Sequence, residues 1–219
     1  MNEKINAFKL SSKAESVLSM INDNTKMGDL RKIAKEIKKD HVLAMDLWST
    51  EKFLPRLLSI LIMDNKLLSE DVINKLDKDM MNHPLYERNY LMDWLMGNQL
   101  TKSKKTVQIM ESWQNSSLSL QRRAFWYYQA RLRWTGKTFE NTEQLLSAIE
   151  KNIIKEEPEV QWAMNLTAGW IGVYEEKYRN RCVKIGEETG LYKGEKVPKG
   201  CTPNYLPEFI RIEVNKRKK

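Results

Sequence analysis

The sequence of 219 residues is poor in the features that mark most secreted, membrane and metal-binding proteins. It has two cysteines, Cys182 and Cys201, which are too few for a disulfide framework. Both histidines lie far from the cysteines in sequence, so we expect no zinc site, and no other metal or cofactor. The longest apolar run, Leu57 to Met63, has seven residues, whereas a helix that spans a bilayer needs about 20. The first residues lack the apolar core of a secretion signal, so we expect a cytoplasmic protein without a membrane partner.

Strand signals and enzyme motifs are also scarce. Apolar residues recur at helical spacing along nearly the whole chain, as in Leu30, Ile33, Ala34 and Ile37. The phosphate-binding loops, nucleophile elbow and paired metal ligands of common enzymes are missing from the sequence. The pattern predicts about eleven or twelve short helices without a flexible linker, and so one domain over residues 1–219. Paired antiparallel helices of this kind favour an all-α solenoid, and a compact irregular bundle is the alternative.

One segment, Ser112–Phe139, contains five basic residues and no acidic one. Five aromatic residues lie in its centre, Gln121–Trp134, and no proline or glycine interrupts it before Gly136. The centre of the segment is therefore predicted to be a helix of about four turns. Solvated helices usually mix acidic and basic residues, so this helix is predicted either to face a polyanion or to bury its guanidinium groups. Its basic residues are Arg122, Arg123, Arg131, Arg133 and Lys137.

The net charge of +8 is concentrated in two places. Residues 191–219 form a predicted basic C-terminal loop and tail, with eight basic and three acidic residues. Together with Ser112–Phe139 they hold more net positive charge than the whole chain, so the remainder is slightly acidic. Clustered charge of this kind is typical of surfaces that bind nucleic acid, although a solubility charge and a frayed tail are the simpler interpretation.

Asp93 is the acidic residue that the sequence singles out. It lies in an apolar run, where a carboxylate is costly unless it is paired or points into a cleft. A structural ion pair and a catalytic role are both open, and Arg123 is the arginine to consider as its partner. On a helix Arg123 shares a face with Tyr127 and Trp134. Arg122 points about 100° away from that face. The aromatic residues of the segment are predicted either to fill the core or to stack on DNA.

Six motifs carry a resemblance to a known family, and they occur in its order along the chain. They are Met27–His41, Leu47-Trp48, Asn89–Asp93, Trp113, Arg122–Ala124 and Val160–Asn165. Together they resemble the DNA alkylation repair family, the HEAT-like-repeat DNA glycosylases, over residues 25–185. The segment Lys199–Tyr205 also resembles the end of some members. The resemblance implies an all-α, HEAT-like-repeat α-solenoid of paired antiparallel helices, whose basic concave face holds duplex DNA.

The resemblance also implies an activity in base excision repair. Active members excise cationic N3- or N7-alkylated purines without drawing the base into a pocket, and a carboxylate stabilises the cationic sugar. Asp93 matches that carboxylate. Arg123 matches the arginine that contacts the DNA backbone, with Arg122 as a one-residue alternative. We expect further DNA contacts from Arg131, Arg133, Lys137 and Tyr127.

The sequence departs from the family at its two cleft tryptophans. Asn89 stands in place of one, four residues before Asp93, and Leu166 stands in place of the other. Tyr90 and Trp162 are nearby, but helical geometry turns each about 100° from the matching direction. The alternative function is therefore a catalytically inactive HEAT-like-repeat module that binds DNA, RNA or a protein partner. In either case we expect a monomer.

Overall fold

The computed structural model describes residues 10–136 and 139–217, and every regular element in these two stretches is helical. Four short 3-10 turns accompany the α-helices within them. None of the helices described combines the length and the apolar character needed to cross a bilayer. The α-helices are α1 (Ser12–Leu18), α2 (Met27–Ile37), α3 (His41–Trp48), α4 (Phe53–Ile62), α5 (Glu70–Met80), α6 (Leu85–Asn98), α7 (Lys104–Glu111), α8 (Ser119–Trp134), α9 (Thr142–Asn152), α10 (Pro158–Tyr174), α11 (Glu176–Thr189) and α12 (Leu206–Arg217).

The chain packs as two compact units, which divide between Ile109 and Met110. The single domain predicted over residues 1–219 stays a prediction. In the first unit α4 contacts both α2 and α6, and in the second unit α10 contacts both α8 and α12. Alternate helices of each unit therefore lie side by side, which is the pattern expected of stacked helical pairs.

Helix α4 occupies the centre of the first unit. Pro55 lies in its first turn, where the missing backbone N–H removes no helical hydrogen bond. Arg56 is buried beside the apolar residues of this helix. Its Nε donates to the carbonyl of Trp48 at 3.1 Å, and its Nη1 donates to the carbonyl of Asp79 at 2.7 Å. The guanidinium thus satisfies carbonyl groups in the last turns of α3 and α5, which have no partner within their own helices.

Two helix starts differ from the sequence pattern. The pattern predicts Asp29 as the cap of α2, but the helix begins two residues earlier, and the Asp29 carboxylate accepts the backbone N–H of Lys26 at 3.2 Å. The pattern also predicts Thr101 as the cap of α7. The cap is Ser103, whose hydroxyl oxygen accepts the N–H of Thr106 at 3.2 Å. At α2 the Asp29 carboxylate satisfies the N–H of the residue that precedes the helix, and at α7 Ser103 is closer than Thr101 to the first N–H groups.

Helix α10 is the central element of the second unit and contacts α8, α9, α11 and α12. Near the start of α8, Arg123 donates to the carbonyl of Glu159, and at its end Trp134 stacks on Trp170. Because these contacts follow the same order on both helices, α8 and α10 run parallel. The helix of about four turns that the sequence predicts within Ser112–Phe139 is confirmed, since α8 has 16 residues.

Two glycines allow α12 to approach its neighbours closely. A Cβ atom at Gly172 of α10 would lie 2.5 Å from Cδ1 of Ile210, and one at Gly186 of α11 would lie 2.6 Å from Cβ of Leu206. Neither distance is possible between real atoms, so only glycine fits at these positions. This packing fixes α12 against the core of the second unit.

Candidate functional site

Asp93 lies on α6 in the first unit and is partly exposed. Three aromatic residues of the same helix are spaced four residues apart, so their rings follow one another along one face. The ring centroids of Tyr86 and Tyr90 are 6.2 Å apart, and those of Tyr90 and Trp94 are 5.9 Å apart with an angle of 25°. Asp93 is the residue directly before Trp94. Helix α6 thus carries a carboxylate next to a ladder of electron-rich rings, which we call the α6 ring ladder (Tyr86, Tyr90 and Trp94).

Neighbouring elements hold the α6 ring ladder in place. Phe53 of α4 packs its edge against Tyr90, with centroids 5.8 Å apart. The Nε1 of Trp94 donates to the carbonyl of Leu57 at 3.2 Å. The guanidinium of Arg31 lies 4.6 Å from the centroid of the Trp94 ring. The ladder therefore already accommodates one cation, which shows that its faces can take positive charge.

Asn89 occupies the position where the family has its first cleft tryptophan. It lies one turn before Asp93 on α6 and is partly buried. Within the described part of the chain, its side-chain oxygen is buried without a hydrogen-bond partner. A residue at this position lies on the same face as Asp93. The aromatic residues of α6 therefore lie at Tyr86, Tyr90 and Trp94, and none of them stands at the position of the family's tryptophan.

Arg122 of α8 is engaged in ion pairs with acidic residues that precede α10. Its Nε and Nη2 donate to the carboxylate of Glu156 at 2.9–3.2 Å, and Nη2 also donates to Glu157. Its Nη1 donates to the carbonyl of Ser116 at 2.7 Å. Both Arg122 and Glu156 are largely buried. The contacts account for the charge of Arg122 within the protein, so its predicted DNA contact would have to compete with two carboxylates.

Arg123 points in a different direction and lies inside the second unit. Only 5% of the residue is exposed, and its Nη1 donates to the carbonyl of Glu159 at 3.0 Å. The guanidinium lies 4.6 Å from the ring centroid of Trp162 and 6.0 Å from that of Tyr127. These two rings meet edge to face at 5.5 Å. Arg123, Tyr127 and Trp162 therefore form a cation-aromatic cluster, and the contacts described give Arg123 a structural role.

Arg133 is wholly buried. Its Nη1 donates to Oε1 of Gln129 at 3.0 Å, and its Nη2 donates to Oδ1 of Asn141 at 2.7 Å and to Oγ1 of Thr142 at 3.1 Å. Its Nε lies 3.5 Å from Oε1 of Glu175. Burial raises the pKa of Glu175, while Thr142 and Arg133 oppose that rise. Arg133 thus has no exposed guanidinium with which to reach a phosphate.

Arg131 is the residue of α8 that can meet an anion. It is exposed, and no hydrogen bond or ion pair of its side chain is found among the residues that the structure describes. Lys137 lies outside the described residues. Of the five basic residues in the acid-free segment, Arg122, Arg123 and Arg133 are thus engaged inside the second unit, and acidic residues from outside the segment face Arg122 and Arg133.

Helix α10 carries aromatic residues on both sides of Leu166, the position of the second cleft tryptophan of the family. Trp162, Leu166, Trp170 and Tyr174 are spaced four residues apart and share one face. Trp170 is buried, with 5% exposure. Trp134 of α8, for which a place in the core and stacking on DNA were both open, stacks on Trp170 while remaining 51% exposed.

Neither of the larger cavities within the units contains Asp93. One of about 610 Å³ in the first unit is lined by Phe53, His83 and Glu87 among others. One of about 650 Å³ in the second unit is lined by Phe139 and Tyr174 among others. In residues 10–136 and 139–217, no three His, Cys, Asp or Glu side chains come together as a metal ion would require.

Comparison with known proteins places these residues in a family. Residues 24–169, which are more than half of the chain, match the DNA alkylation repair enzyme family. The chain belongs to that family. Asp93, Arg122 and Arg123 lie within the matched region, whereas Trp170, Tyr174 and Arg217 lie beyond it. None of the curated proteins matches the sequence significantly.

A solved structure supports the same fold for this family member. The solved protein represents what is described as a new family of proteins related to the HEAT-like repeat DNA glycosylases with affinity for branched DNA structures. The two chains superpose with a TM-score of 0.66 at 19% identity, over 95% of this chain and 90% of the other. The predicted fold class, an all-α HEAT-like-repeat solenoid, is thereby confirmed. The predicted roles of Asp93 and of the α8 residues stay predictions.

Proposed function

We propose that this member of the DNA alkylation repair family binds duplex DNA and excises cationic N3- or N7-alkylated purines. The observation that carries the proposal is the position of Asp93, a partly exposed carboxylate beside the α6 ring ladder. A carboxylate stabilises a positively charged sugar, and electron-rich rings stabilise a positively charged base. The two groups that this chemistry requires thus lie on one helix.

The reaction needs little from the protein because the lesion already carries a positive charge. The bond between C1′ and the purine nitrogen breaks, and its electron pair neutralises the base as it leaves. The sugar becomes an oxocarbenium-like cation, which the negative charge of Asp93 stabilises. Water then adds to C1′ and releases a proton, so that an abasic sugar and a free base remain. Asp93 is the catalytic residue in this scheme, and it also orients the attacking water.

Positive charge supports binding to DNA in this proposal. The chain carries a net charge of +8, and the exposed Arg131 has no acidic partner within the described part of the chain. Phosphate contacts of this kind give affinity that falls steeply with salt. The structural relative is described as having affinity for branched DNA, which agrees with DNA as the partner. The DNA affinity of that relative gives no support to RNA or a protein as the partner.

A second candidate is a module of the same fold that binds DNA without catalysis. Asn89 and Leu166 replace the two cleft tryptophans of the family, and Arg123 is buried against the carbonyl of Glu159. A binding module requires none of these residues to contact the lesion. The two candidates differ in whether Asp93 has a chemical role.

The test is release of 7-methylguanine and 3-methyladenine from methylated duplex DNA. Wild-type protein should release the bases, and Asp93→Asn should lower the rate about 100-fold or more while DNA affinity changes little, because the charge acts mainly in the transition state. Asp71→Asn is the matched control, since Asp71 is exposed in the first turn of α5. Binding without release by the wild type would favour the second candidate. Equal release by wild type and Asp93→Asn would exclude the proposed role of Asp93.

A further inference from the structure

Trp134 presents a half-exposed indole at the end of α8. Its ring stacks on Trp170 with centroids 5.2 Å apart and an angle of 14°, and Trp170 stacks on Tyr174 at 5.9 Å and 27°. Trp170 is 5% exposed, so the protein covers the middle of this stack. Trp134 remains 51% exposed. The three rings, which we call the α8–α10 stack, therefore end in an aromatic surface that solvent reaches.

Helix α12 fixes the inner part of the α8–α10 stack. The guanidinium of Arg217 lies 5.0 Å from the ring centroid of Trp170 and 5.2 Å from that of Tyr174. Its Nε donates to the hydroxyl oxygen of Tyr174 at 2.9 Å, and its Nη1 donates to the carboxylate of Glu213 at 2.6 Å. Trp134 is thus supported by rings that are held by packing and hydrogen bonds. A flat ligand that stacks on it meets a surface already in place, so little conformational entropy is lost.

An unpaired positive charge lies beside the exposed indole. Arg131 precedes Trp134 by three residues, so both side chains lie on the same face of α8. Arg131 is exposed and makes no hydrogen bond or ion pair among the residues described. No acidic residue occurs from Ser112 to Phe139, so α8 offers no carboxylate to neutralise it. The surface therefore combines a flat ring with a cation one helical turn away.

We propose that the exposed face of Trp134 stacks on an unpaired nucleobase of DNA, and that Arg131 contacts a phosphate of the same strand. A base inside a duplex has both faces covered by its neighbours, so an indole can stack only on a base that is unpaired or at a branch point. The flat ring selects a base, and the cation selects the phosphate backbone. The inference rests on the proposed function only in taking DNA as the partner, and it requires neither Asp93 nor excision.

The experiment compares two labelled DNAs that carry the same reporter base, unpaired at a branch in one and paired in the other. One is a three-way junction with an unpaired 2-aminopurine at the branch, and the other is a duplex with the same 2-aminopurine paired. Wild-type protein should bind the junction more tightly and should change the fluorescence of its 2-aminopurine. Trp134→Ala should weaken junction binding about 5- to 150-fold with little effect on the duplex, which is the range that stacking on one base provides. Trp134→Phe should retain most of the affinity.

Arg131→Ala provides a second measurement on the same surface. It should weaken binding to both DNAs and reduce the slope of log affinity against log salt by about one, as expected for one lost phosphate contact. Lys151→Ala is the control, since Lys151 is an exposed basic residue of α9. Circular dichroism of each variant establishes that the helices are intact. If the control lowers the salt slope as much as Arg131→Ala does, the effect is one of net charge and the phosphate contact is refuted.

Three results would overturn the base-stacking proposal. They are equal affinity of wild-type protein for junction and duplex, equal loss on both DNAs in Trp134→Ala, and an unchanged 2-aminopurine signal on binding. The outcome is separate from that of the base-release assay. Junction binding that depends on Trp134 without base release would support this inference and refute excision. If the wild type releases bases, Trp134→Ala does not change that release, and the wild type binds junction and duplex equally, excision is supported and this inference is refuted.

Discussion

Replacement of Arg133 by methionine should destabilise the protein, because Arg133 is a buried structural residue. Methionine keeps most of the side-chain length and removes the charge. The change leaves Glu175, which is 8% exposed, without Arg133, and leaves Oδ1 of Asn141 without its donor. Removal of one partner of a buried ion pair typically costs about 3–5 kcal/mol. The distance of 3.5 Å between Nε and the carboxylate exceeds that of a direct hydrogen bond, so we expect about 3 kcal/mol.

The loss of stability should depend on pH. Burial raises the pKa of Glu175 in the folded protein, and Arg133 opposes that rise. Without Arg133 the folded pKa of Glu175 therefore rises further above its unfolded value. A carboxyl group with a raised folded pKa is most favourable to folding when protonated, and stability falls as pH rises through that pKa. Arg133→Met should consequently lose more stability, relative to wild type, at pH 8 than at pH 5.

Urea denaturation followed by circular dichroism at both pH values measures the effect. Arg131→Met is the matched control, since Arg131 lies on the same helix, is exposed and should change the free energy of unfolding by less than about 0.5 kcal/mol. The double variant Arg133→Met/Glu175→Gln should recover part of the loss, because no uncompensated charge remains. The reasoning is refuted if Arg133→Met is as stable as the control variant, or if its deficit is the same at pH 5 and pH 8.

Two further predictions concern buried titratable groups. Burial raises the pKa of Asp77 to about 7, and neither carboxyl oxygen has a hydrogen-bond partner among the described residues. Because the folded pKa of Asp77 lies above the unfolded one, the stability of the wild type should fall between about pH 4 and pH 7. Asp77→Asn should therefore be more stable than wild type by about 2–4 kcal/mol at pH 8 but not at pH 4. If urea denaturation gives the same difference between the two proteins at both pH values, the prediction is contradicted. Cys201 is exposed, whereas burial raises the pKa of Cys182 to about 12, so a thiol reagent should label only Cys201 in the native protein, as measured by peptide mass. Equal labelling of the two cysteines before denaturation would contradict their placement.

Local sequence patterns determined the helices and the family. The absence of proline and glycine before Gly136 predicted the helix α8, and apolar spacing predicted most other helices, because an amphipathic face recurs with the period of the helix whatever the helix packs against. The motifs from Met27 to Asn165 identified the family. The predicted caps of α2 and α7 were wrong, because Asp29 lies inside the first turn of α2 and Ser103, not Thr101, precedes α7.

The environment of the candidate residues was decided by packing. The sequence shows that Ser112–Phe139 is a basic segment without acidic residues. It left two interpretations open, namely an interface with a polyanion or guanidinium groups buried inside the protein. In the structure Glu156 and Glu157 neutralise Arg122, and Glu175 faces Arg133, although these acids lie more than 30 residues away along the chain. Arg131 alone among the described basic residues of the segment keeps an exposed, unpaired side chain.

The aromatic residues show the same division. The sequence alone determined that tryptophan is absent at positions 89 and 166. Tertiary structure decided that Phe53 packs against Tyr90, that Arg31 lies over Trp94, and that Trp134 ends a stack supported by Trp170. The physical reason is that helical periodicity depends on neighbours along the chain, whereas charge compensation and ring stacking depend on distance in space. Residues remote in sequence supply both, and only the packing of helices brings them together.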